Sequence, residues 1–384
     1  RYNTRFGYEF TPFPKIGVTI IQWMLDQNPG PLPAFIDAEK ADAMPGVYEA
    51  GMPASEITVA ELLQGHGYYT AHIGKWHLGS EGDMAPKKQG FDESLELSGL
   101  LYLPEAHPDV VNQKFPHDGT DRMVWAAGKF SARFNGSEEF APAKYLTDYY
   151  TDEAVKVIES NRNRPFFLYL AHWGPHNPLQ ASREDYEALA HIEEHGLRVY
   201  AAMLRSLDRS VARVTQALAD NGLTDNTLIL FTSDNGGASI IEQPDINAPY
   251  RGWKLTHFEG GLHVPFIAKW PAKLPAGKTY QQAVHHMDLM PTIVAAANVA
   301  LPTDRKIDGV DLIPFILGER SAPPHRTLFW REGHQQSVLH EGWKLIRANQ
   351  PDKSAGTPQK KFLFHLATDP TEQENLAEQR PDKV

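Results

Sequence analysis

Two short apolar runs constrain this chain more than any other feature. Residues 166–171 (FFLYLA) and 227–232 (TLILFT) are continuous and bounded by breakers, the pattern of strands buried on both faces of a parallel sheet. Each follows a helix-like stretch. Residues 147–161 precede the first, and before the second Val199, Met203, Leu207, Val211, Val214 and Leu218 recur at helical spacing and stop short of Gly222. Helices alternating with buried strands predict a doubly wound α/β domain that takes up its ligand at the carboxyl ends of the strands. Both runs lead straight into polar clusters, HWGPHNP and SDNGG.

The remaining segments fit around this core. Residues 58–67 predict a helix, because Thr58 and Glu61 have capping-box spacing and Gly67 can end it. Residues 68–77 (YYTAHIGKWH) predict a strand, whose extended backbone would point Lys75 and His77 to the same face. Residues 263–270 predict a further strand, and 287–297 a helix that opens with Asp288. Beyond about residue 320 the style changes: 327–331, 337–347 and 361–366 predict short strands joined by turns, with a helical tail around 373–378. The expected division is therefore an α/β domain over 1–320 and a small antiparallel β subdomain with a terminal helix over 321–384. The Gly- and Pro-containing loops around 80–145 carry no clear assignment, and insertions of this kind often build substrate pockets.

Composition serves mainly to exclude. With 37 basic and 48 acidic residues the net charge is −11, which argues against nonspecific binding to nucleic acid or to an anionic membrane. An anionic substrate then needs positive charge concentrated in a pocket. The absence of cysteine rules out disulfides and thiolate metal ligands in this sequence. No run approaches the roughly 18 apolar residues that span a bilayer. The first residues, RYNTRFGYEF, look like neither a signal peptide nor a natural start, and the last, NLAEQRPDKV, finish no element. Both ends are expected to continue in a longer protein.

Four clusters hold side chains with chemistry: Gly74-Lys75-Trp76-His77-Leu78-Gly79, Pro175-His176-Asn177-Pro178, Ser233-Asp234-Asn235-Gly236-Gly237, and Arg251-Gly252-Trp253-Lys254 with Glu259-Gly260-Gly261. Singly, each has a bland reading. A Lys-x-His is usually a solvated strand end, and Asp-Asn-Gly-Gly is usually a turn. Two of the four, however, follow directly on buried strands, so their polar side chains emerge on one edge of the sheet. Gathered together, two lysines, two histidines and an Asp-Asn pair offer cations for a tetrahedral oxyanion, imidazoles for proton transfer and oxygen ligands for a hard cation such as Ca²⁺.

In this order the motifs resemble the type I sulfatases of the alkaline-phosphatase-like superfamily, in particular the arylsulfatases and the glycan sulfatases. The resemblance rests on GKWHLG, PHNPLQ after a strand, TSDNGG, RGWK followed by EGG, HHMDLMPT, DGVDL, GWKLI and LATDPTEQENLA, and covers nearly the whole sequence. It implies a mostly parallel sheet flanked by helices, with a small C-terminal antiparallel-sheet subdomain. It also implies that Lys75 and Lys254 hold the sulfate oxygens, and that His176 donates a proton to the departing alcohol oxygen. Imidazole suits that role because its reference pKa of about 6.5 lies near working pH. His77 would stand beside the nucleophile and assist the proton removal that later expels sulfate. Asp234 and Asn235 would be two ligands of a Ca²⁺.

Sulfatases use a formylglycine, made from Cys or Ser in a Cys/Ser-x-Pro/Ala-x-Arg motif, whose hydrated form attacks sulfur and becomes a covalent sulfate ester. No such motif is present in this sequence. Its nearest imitation, Ser321-Ala322-Pro323-Pro324-His325-Arg326, puts His325 where the Arg belongs. Arg1, Tyr2, Arg5 and Gly7 match the family's residues a short helix beyond the motif. The nucleophile, and a preceding strand with two acidic metal ligands, are therefore expected upstream, and residues 1–384 alone are expected to be inactive.

His172 and Trp173, beside the proposed acid, and Arg251 and His257, near Lys254, are candidates for substrate contact. His285, His286 and Asp288 resemble a metal cluster by composition but fit a helix start, where Asp288 is favoured by the helix dipole. The expected partner is a sulfated small molecule or glycan, with no nucleic acid and no membrane span, and the expected location is periplasmic or secreted. Two alternatives stand beside this reading: a phosphomonoester, phosphodiester or phosphonate hydrolase of the same superfamily, and a noncatalytic pseudo-sulfatase that binds a glycan. The Lys75-x-His77 and Lys254 set favours sulfate.

Overall fold

The computed structural model describes residues 51–242, 245–332, 335–348 and 360–384. Arg1, Tyr2, Arg5 and Gly7 lie outside the described residues. In chain order the elements are α1 (Val59–Gln64), β1 (Tyr69–Gly74), β2 (Glu93–Leu97), β3 (Val110–Gln113), α2 (Gly119–Ala127), β4 (Ala132–Phe134), α3 (Leu146–Ser160), β5 (Phe166–Ala171), β6 (Leu179–Ser182), α4 (Arg183–Glu187), α5 (His195–Asp220), β7 (Ile229–Thr232), α6 (Glu259–Leu262), β8 (Phe266–Lys269), α7 (Leu289–Ala296) and α8 (Ile313–Ile316). Four strands follow, β9 (Thr327–Glu332), β10 (Gln335–His340), β11 (Trp343–Ala348) and β12 (Lys360–His365).

One sheet runs β4-β2-β1-β5, with β1 parallel to β2 and β5 and with β4 antiparallel at its edge. β7 pairs antiparallel with β8, β3 with β6, and β12-β11-β10-β9 form a separate antiparallel sheet. This is the mixed, helix-flanked sheet with a C-terminal antiparallel sheet that the sequence predicts.

Local chemistry explains the helices. At α1 the Thr58 hydroxyl accepts the Glu61 N–H at 3.0 Å while the Glu61 carboxylate accepts the Thr58 N–H at 2.6 Å, the reciprocal pair that the spacing predicts. In α5 one stripe, including Val199, Ala202 and Met203, is buried against the same core as Tyr150 and Ala154 of α3 and Ile73 of β1. That core fixes β1 and β5 side by side, in a register that pairs Gly74 with Ala171. The segments that follow, Lys75 onward and His172 onward, therefore leave the sheet together.

Several expectations are corrected. β1 ends at Gly74, and His77 has φ 49°, so Lys75 and His77 do not share a face of an extended strand. The loop is instead pinned by Trp76, whose indole N–H reaches the carbonyls of Gly79 and Met84, each at 2.9 Å. Among the described residues, Tyr169 of β5 is 46% and Phe231 of β7 41% exposed, and both border a cleft that runs along the two strands. Residues 337–347 are parts of two strands, split at Glu341-Gly342 where both residues have positive φ. The helical tail at 373–378 is absent. There the Leu376 N–H donates to the Leu363 carbonyl of β12 at 2.8 Å and the Ala377 N–H to the Asn375 side chain at 3.0 Å, so donors that a helix would use are taken elsewhere, while Asp369 accepts the N–H groups of Gln373 and Glu374. Only a short 3₁₀ turn, Pro381–Lys383, follows.

Candidate active site

Among the described residues, six of those singled out by sequence line one cleft that runs along the full length of β5 and β7: Lys75, His77, His176, Asp234, Asn235 and Lys254. Lys75 follows β1 directly, its N–H held by the Ala171 carbonyl at 2.8 Å, so the β1–β5 ladder extends one residue into the loop. Its ammonium stands 3.6 Å from a carboxylate oxygen of Asp234 and 5.5 Å from the centre of the Trp173 ring. The Lys254 ammonium stands 3.5 Å from Nε2 of His176. The two lysines thus face the acid and base groups of two other segments.

His176 is held from three sides. Its Nδ1–H donates to the Asn177 carbonyl at 2.7 Å, which leaves Nε2 as the atom that points to Lys254. Its ring stacks on buried Trp173 with centroids 4.0 Å apart, and its own carbonyl accepts from the Tyr102 hydroxyl at 2.8 Å. Burial, and then the Lys254 and Lys75 cations, push its pKa down to about 4, against an opposing pull from Asn177 and Asp234. His77 is lowered by the surrounding protein first and by Lys75 and Lys254 next, with Asp234 acting in the opposite sense. Both imidazoles are therefore biased to the neutral form by burial and then by the same two cations.

Asp234 and Asn235 sit side by side beyond β7. The Asn235 side-chain amide donates to Gly236 O at 3.0 Å, so its Oδ1 is the atom with ligand chemistry. Both residues offer the hard oxygen donors that Ca²⁺ takes, and they fit part of such a site. A Ca²⁺ takes about six to eight oxygens, and among the described residues no group of three or more His, Cys, Asp or Glu gathers to hold a metal.

The other candidates divide. Trp173 lines the cleft, but its indole N–H is spent on the Leu100 carbonyl at 2.9 Å and its face on His176, so it supports the imidazole. His172 reaches the cleft wall while its Nε2 pairs with the Ser210 hydroxyl of α5 at 2.8 Å; burial lowers its pKa to about 4. Arg251 and His257 do not line the cleft. Arg251 donates to the Glu372 carbonyl at 3.0 Å and stacks on Phe258, and His257 is buried near Lys344. Sequence proximity to Lys254 misleads because Gly252 and Leu255, both at positive φ, turn the chain on either side of it. His285 and Asp288 open a helix as expected: each accepts or donates within the 285–288 turn, and buried Asp288 also binds His325 at 2.8 and 2.9 Å.

Sequence reasoning missed Asn247. Its side chain accepts the Gly237 N–H at 2.7 Å and donates to the carbonyls of Gly237 and Gly252 at 3.1 and 3.0 Å, which ties the Asp234 segment to the Lys254 loop. It lies in an aperiodic stretch, DINAPY, that carries no local signal.

The profile of the family described as Sulfatase matches residues 38–299, more than half of the chain. A second, described as N-sulphoglucosamine sulphohydrolase, C-terminal, matches residues 252–383. The uncharacterized sulfatase YdeN of Escherichia coli (strain K12) is 34% identical over 312 residues, covering 78% of this chain and 55% of that protein. The human N-acetylgalactosamine-6-sulfatase is 35% identical over 286 residues, covering 74% of this chain and 52% of that one. The chain spans about half the length of these curated relatives. Among solved structures, that of Ps i-CgsB in complex with k-i-k-neocarrahexaose superposes with a TM-score of 0.73 at 30% identity, covering 86% of this chain and 72% of that one. On these matches and the shared architecture, the chain belongs to the sulfatase family.

Proposed function

We propose that the full-length protein hydrolyses a sulfate ester carried by a sugar or glycan, and that Lys75, His77, His176 and Lys254 are its catalytic side chains within this sequence. The observation that carries this reading is the meeting of two ammonium groups with an imidazole and a carboxylate, Lys254 against His176 and Lys75 against Asp234. Two fixed cations at a partly water-excluded rim suit a group whose negative charge grows on its oxygens as the S–O bond breaks. A formylglycine outside this sequence would supply the nucleophile, and a Ca²⁺, with Asp234 and Asn235 among its ligands, would polarise the sulfate. The sugar part of the proposed substrate is supported by relatives: one is an N-acetylgalactosamine-6-sulfatase, and one solved structure is in complex with k-i-k-neocarrahexaose.

The proton inventory follows from the site. In the free site burial first, and then the two lysines, hold His176 neutral. An anion lodged between Lys75 and Lys254 would offset both charges and raise the pKa of the imidazole, so binding of the ester favours the proton needed at Nε2. Nε2 is the right atom, because Nδ1 is committed to Asn177. His77, biased to the neutral base, is suited to take a proton in the second half of the reaction.

The test is turnover of paired aryl sulfate and aryl phosphate esters by the full-length protein, with and without Lys254→Ala. Sulfate is expected to be the faster substrate. Lys254→Ala is expected to lower kcat/KM by roughly 10²–10³-fold, the scale of removing one preorganised oxyanion stabiliser. Faster turnover of phosphate would favour a phosphoester hydrolase, and no turnover of either would favour a binding protein.

A further inference from the structure

A buried charge cluster where the C-terminal sheet meets the α/β part has no role in the reaction as proposed. Lys344, in the GWKLI motif on β11, is 1% exposed, and its ammonium lies 2.6 Å from Oε1 of Glu259 and 2.9 Å from Oε1 of Glu372. Glu372, from the DPTEQENLA motif, is fully buried. Its Oε2 accepts the N–H of Glu259, the first residue of α6, at 2.6 Å, and its carbonyl accepts from Arg251. The second oxygen of Glu259 meets Nδ1 of His263 at 2.9 Å, and the His263 ring stacks on Tyr250. Desolvating a lysine and two carboxylates is unfavourable, and an apolar trio of similar volume often holds two surfaces together at least as well. Cohesion alone therefore explains this cluster poorly.

What the cluster grips is the 250–263 loop, at Arg251 on one side of Lys254 and at Glu259 on the other. Between the grips, the Lys254 N–H donates to Gly237 O at 2.9 Å. The backbone of α6 transmits position with no slack: a Cβ on Gly260 would lie 2.4 Å from Gly252 O and 2.6 Å from Arg251 O, and one on Gly236 would lie 1.8 Å from Gly260 O. Any shift of α6 reaches both the Lys254 turn and the residue next to Asn235.

We propose that Lys344 and Glu372 are positioning residues, which through Glu259 and Arg251 fix the 250–263 loop and so set where the Lys254 ammonium stands relative to His176. This rests on the reading of Lys254 as a sulfate-binding group. Replacing Lys344 by Met leaves two buried carboxylates facing each other and loosens α6. Replacing Glu372 by Gln keeps an acceptor for the Glu259 N–H and removes one charge from the grip.

The experiment uses the full-length protein carrying Lys344→Met or Glu372→Gln, each alone and combined with Lys254→Ala. It reads kcat/KM on an aryl sulfate and amide hydrogen exchange by mass spectrometry. Each single variant is expected to lose roughly 10–100-fold in kcat/KM, as small misplacements of a reacting group do. In the Lys254→Ala background that loss shrinks to about twofold or less, because the residues act through Lys254. Exchange rises in 250–263 while β9 and β10 keep their protection. The proposal is overturned if folded variants keep normal kcat/KM and normal exchange in 250–263, or if they lose the same factor whether or not Lys254 is present. Should Lys344→Met fail to fold, Glu372→Gln decides alone. If the unmodified protein turns over no sulfate ester, the functional reading fails, while the exchange pattern still decides whether the cluster fixes the loop.

Discussion

The C-terminal sheet and the rim of the cleft are built by opposite strategies. The sheet runs β12-β11-β10-β9, so each strand pairs with its neighbour in sequence, and the β10–β11 turn is only Glu341-Gly342. The rim is assembled from segments far apart in the chain, with Lys75 against Asp234 and His176 against Lys254. At the rim, backbone touches backbone. In the sheet, side chains fill the gaps, as where Phe362 and Phe364 pack against Phe258. A rim of this kind holds its charges rigidly but cannot absorb an added atom; a hairpin sheet can.

A pair of identical substitutions tests this contrast with the largest expected difference. At Gly236 an added Cβ would lie 1.8 Å from Gly260 O, a backbone atom that cannot rotate away. Gly236→Ala is expected to cost about 1–3 kcal/mol of stability, as overpacking does, and to lower kcat/KM of the full-length protein roughly 100-fold by displacing the rim. At Gly342 the nearest atom to an added Cβ is His365 Nε2 at 3.8 Å, and only the φ of 81° opposes a side chain. Gly342→Ala is expected to cost about 1–2 kcal/mol from the left-handed backbone and to leave kcat/KM unchanged. Thermal melts and kinetics on both variants decide, and equal activity losses would erase the distinction.

The same contrast separates what was legible in the sequence from what was not. The Thr58–Glu61 cap, the apolar stripe of α5 and the runs that became β5 and β7 are local patterns, and each formed where its residues predict. The strands after residue 320 are local too, although the split at Glu341-Gly342 depends on two positive φ values that no hydropathy pattern marks. The six cleft residues were legible because they lie next to strand ends or glycines. Their neighbours Arg251 and His257 were not, since turns at Gly252 and Leu255 decide which way they face, and those turns are set by contacts with Gly260, Gly261 and β12. The tail at 373–378 has helix-forming residues, yet the side chains of Asp369 and Asn375 capture backbone donors there, a competition that hydrophobic periodicity does not register.

Acid should weaken both regions in one pH window. His72, behind Lys75 at the rim, and His257, at the junction with the C-terminal sheet, are 1% and 2% exposed, and burial holds each at about 4. Against an unfolded value of about 6.5, the unfolded chain binds protons between pH 6.5 and 4 that the folded chain refuses. Their contribution to stability is thus complete above pH 6.5 and lost as pH falls toward 4. Each such group adds a slope of up to about 1.4 kcal/mol per pH unit. Melting temperatures measured from pH 8 to 4.5 should fall most steeply below 6.5, and His72→Asn and His257→Asn should each flatten part of that fall. A flat profile across this window would mean that neither imidazole is kept neutral by its surroundings.

The smallest expected effect lies in the most locally encoded element. The Thr58 hydroxyl accepts the Glu61 N–H at the start of α1 and donates to Gln89 O at 2.7 Å, while Leu63 packs against Val294 of α7. Thr58→Ala removes the cap and leaves that packing in place, so it is expected to cost about 1 kcal/mol. Thr58→Ser should restore most of the loss, because the hydroxyl and not the methyl caps the helix. Ala60 of α1 packs in one cluster with Trp76 of the Lys75 loop, and Thr58→Ala leaves that contact in place, so kcat/KM of the full-length protein should stay within about twofold of normal. A much larger loss of activity, with only that modest loss of stability, would show that a locally encoded helix also sets the geometry of the Lys75 loop, and the division between the two kinds of construction would have to be redrawn around β1.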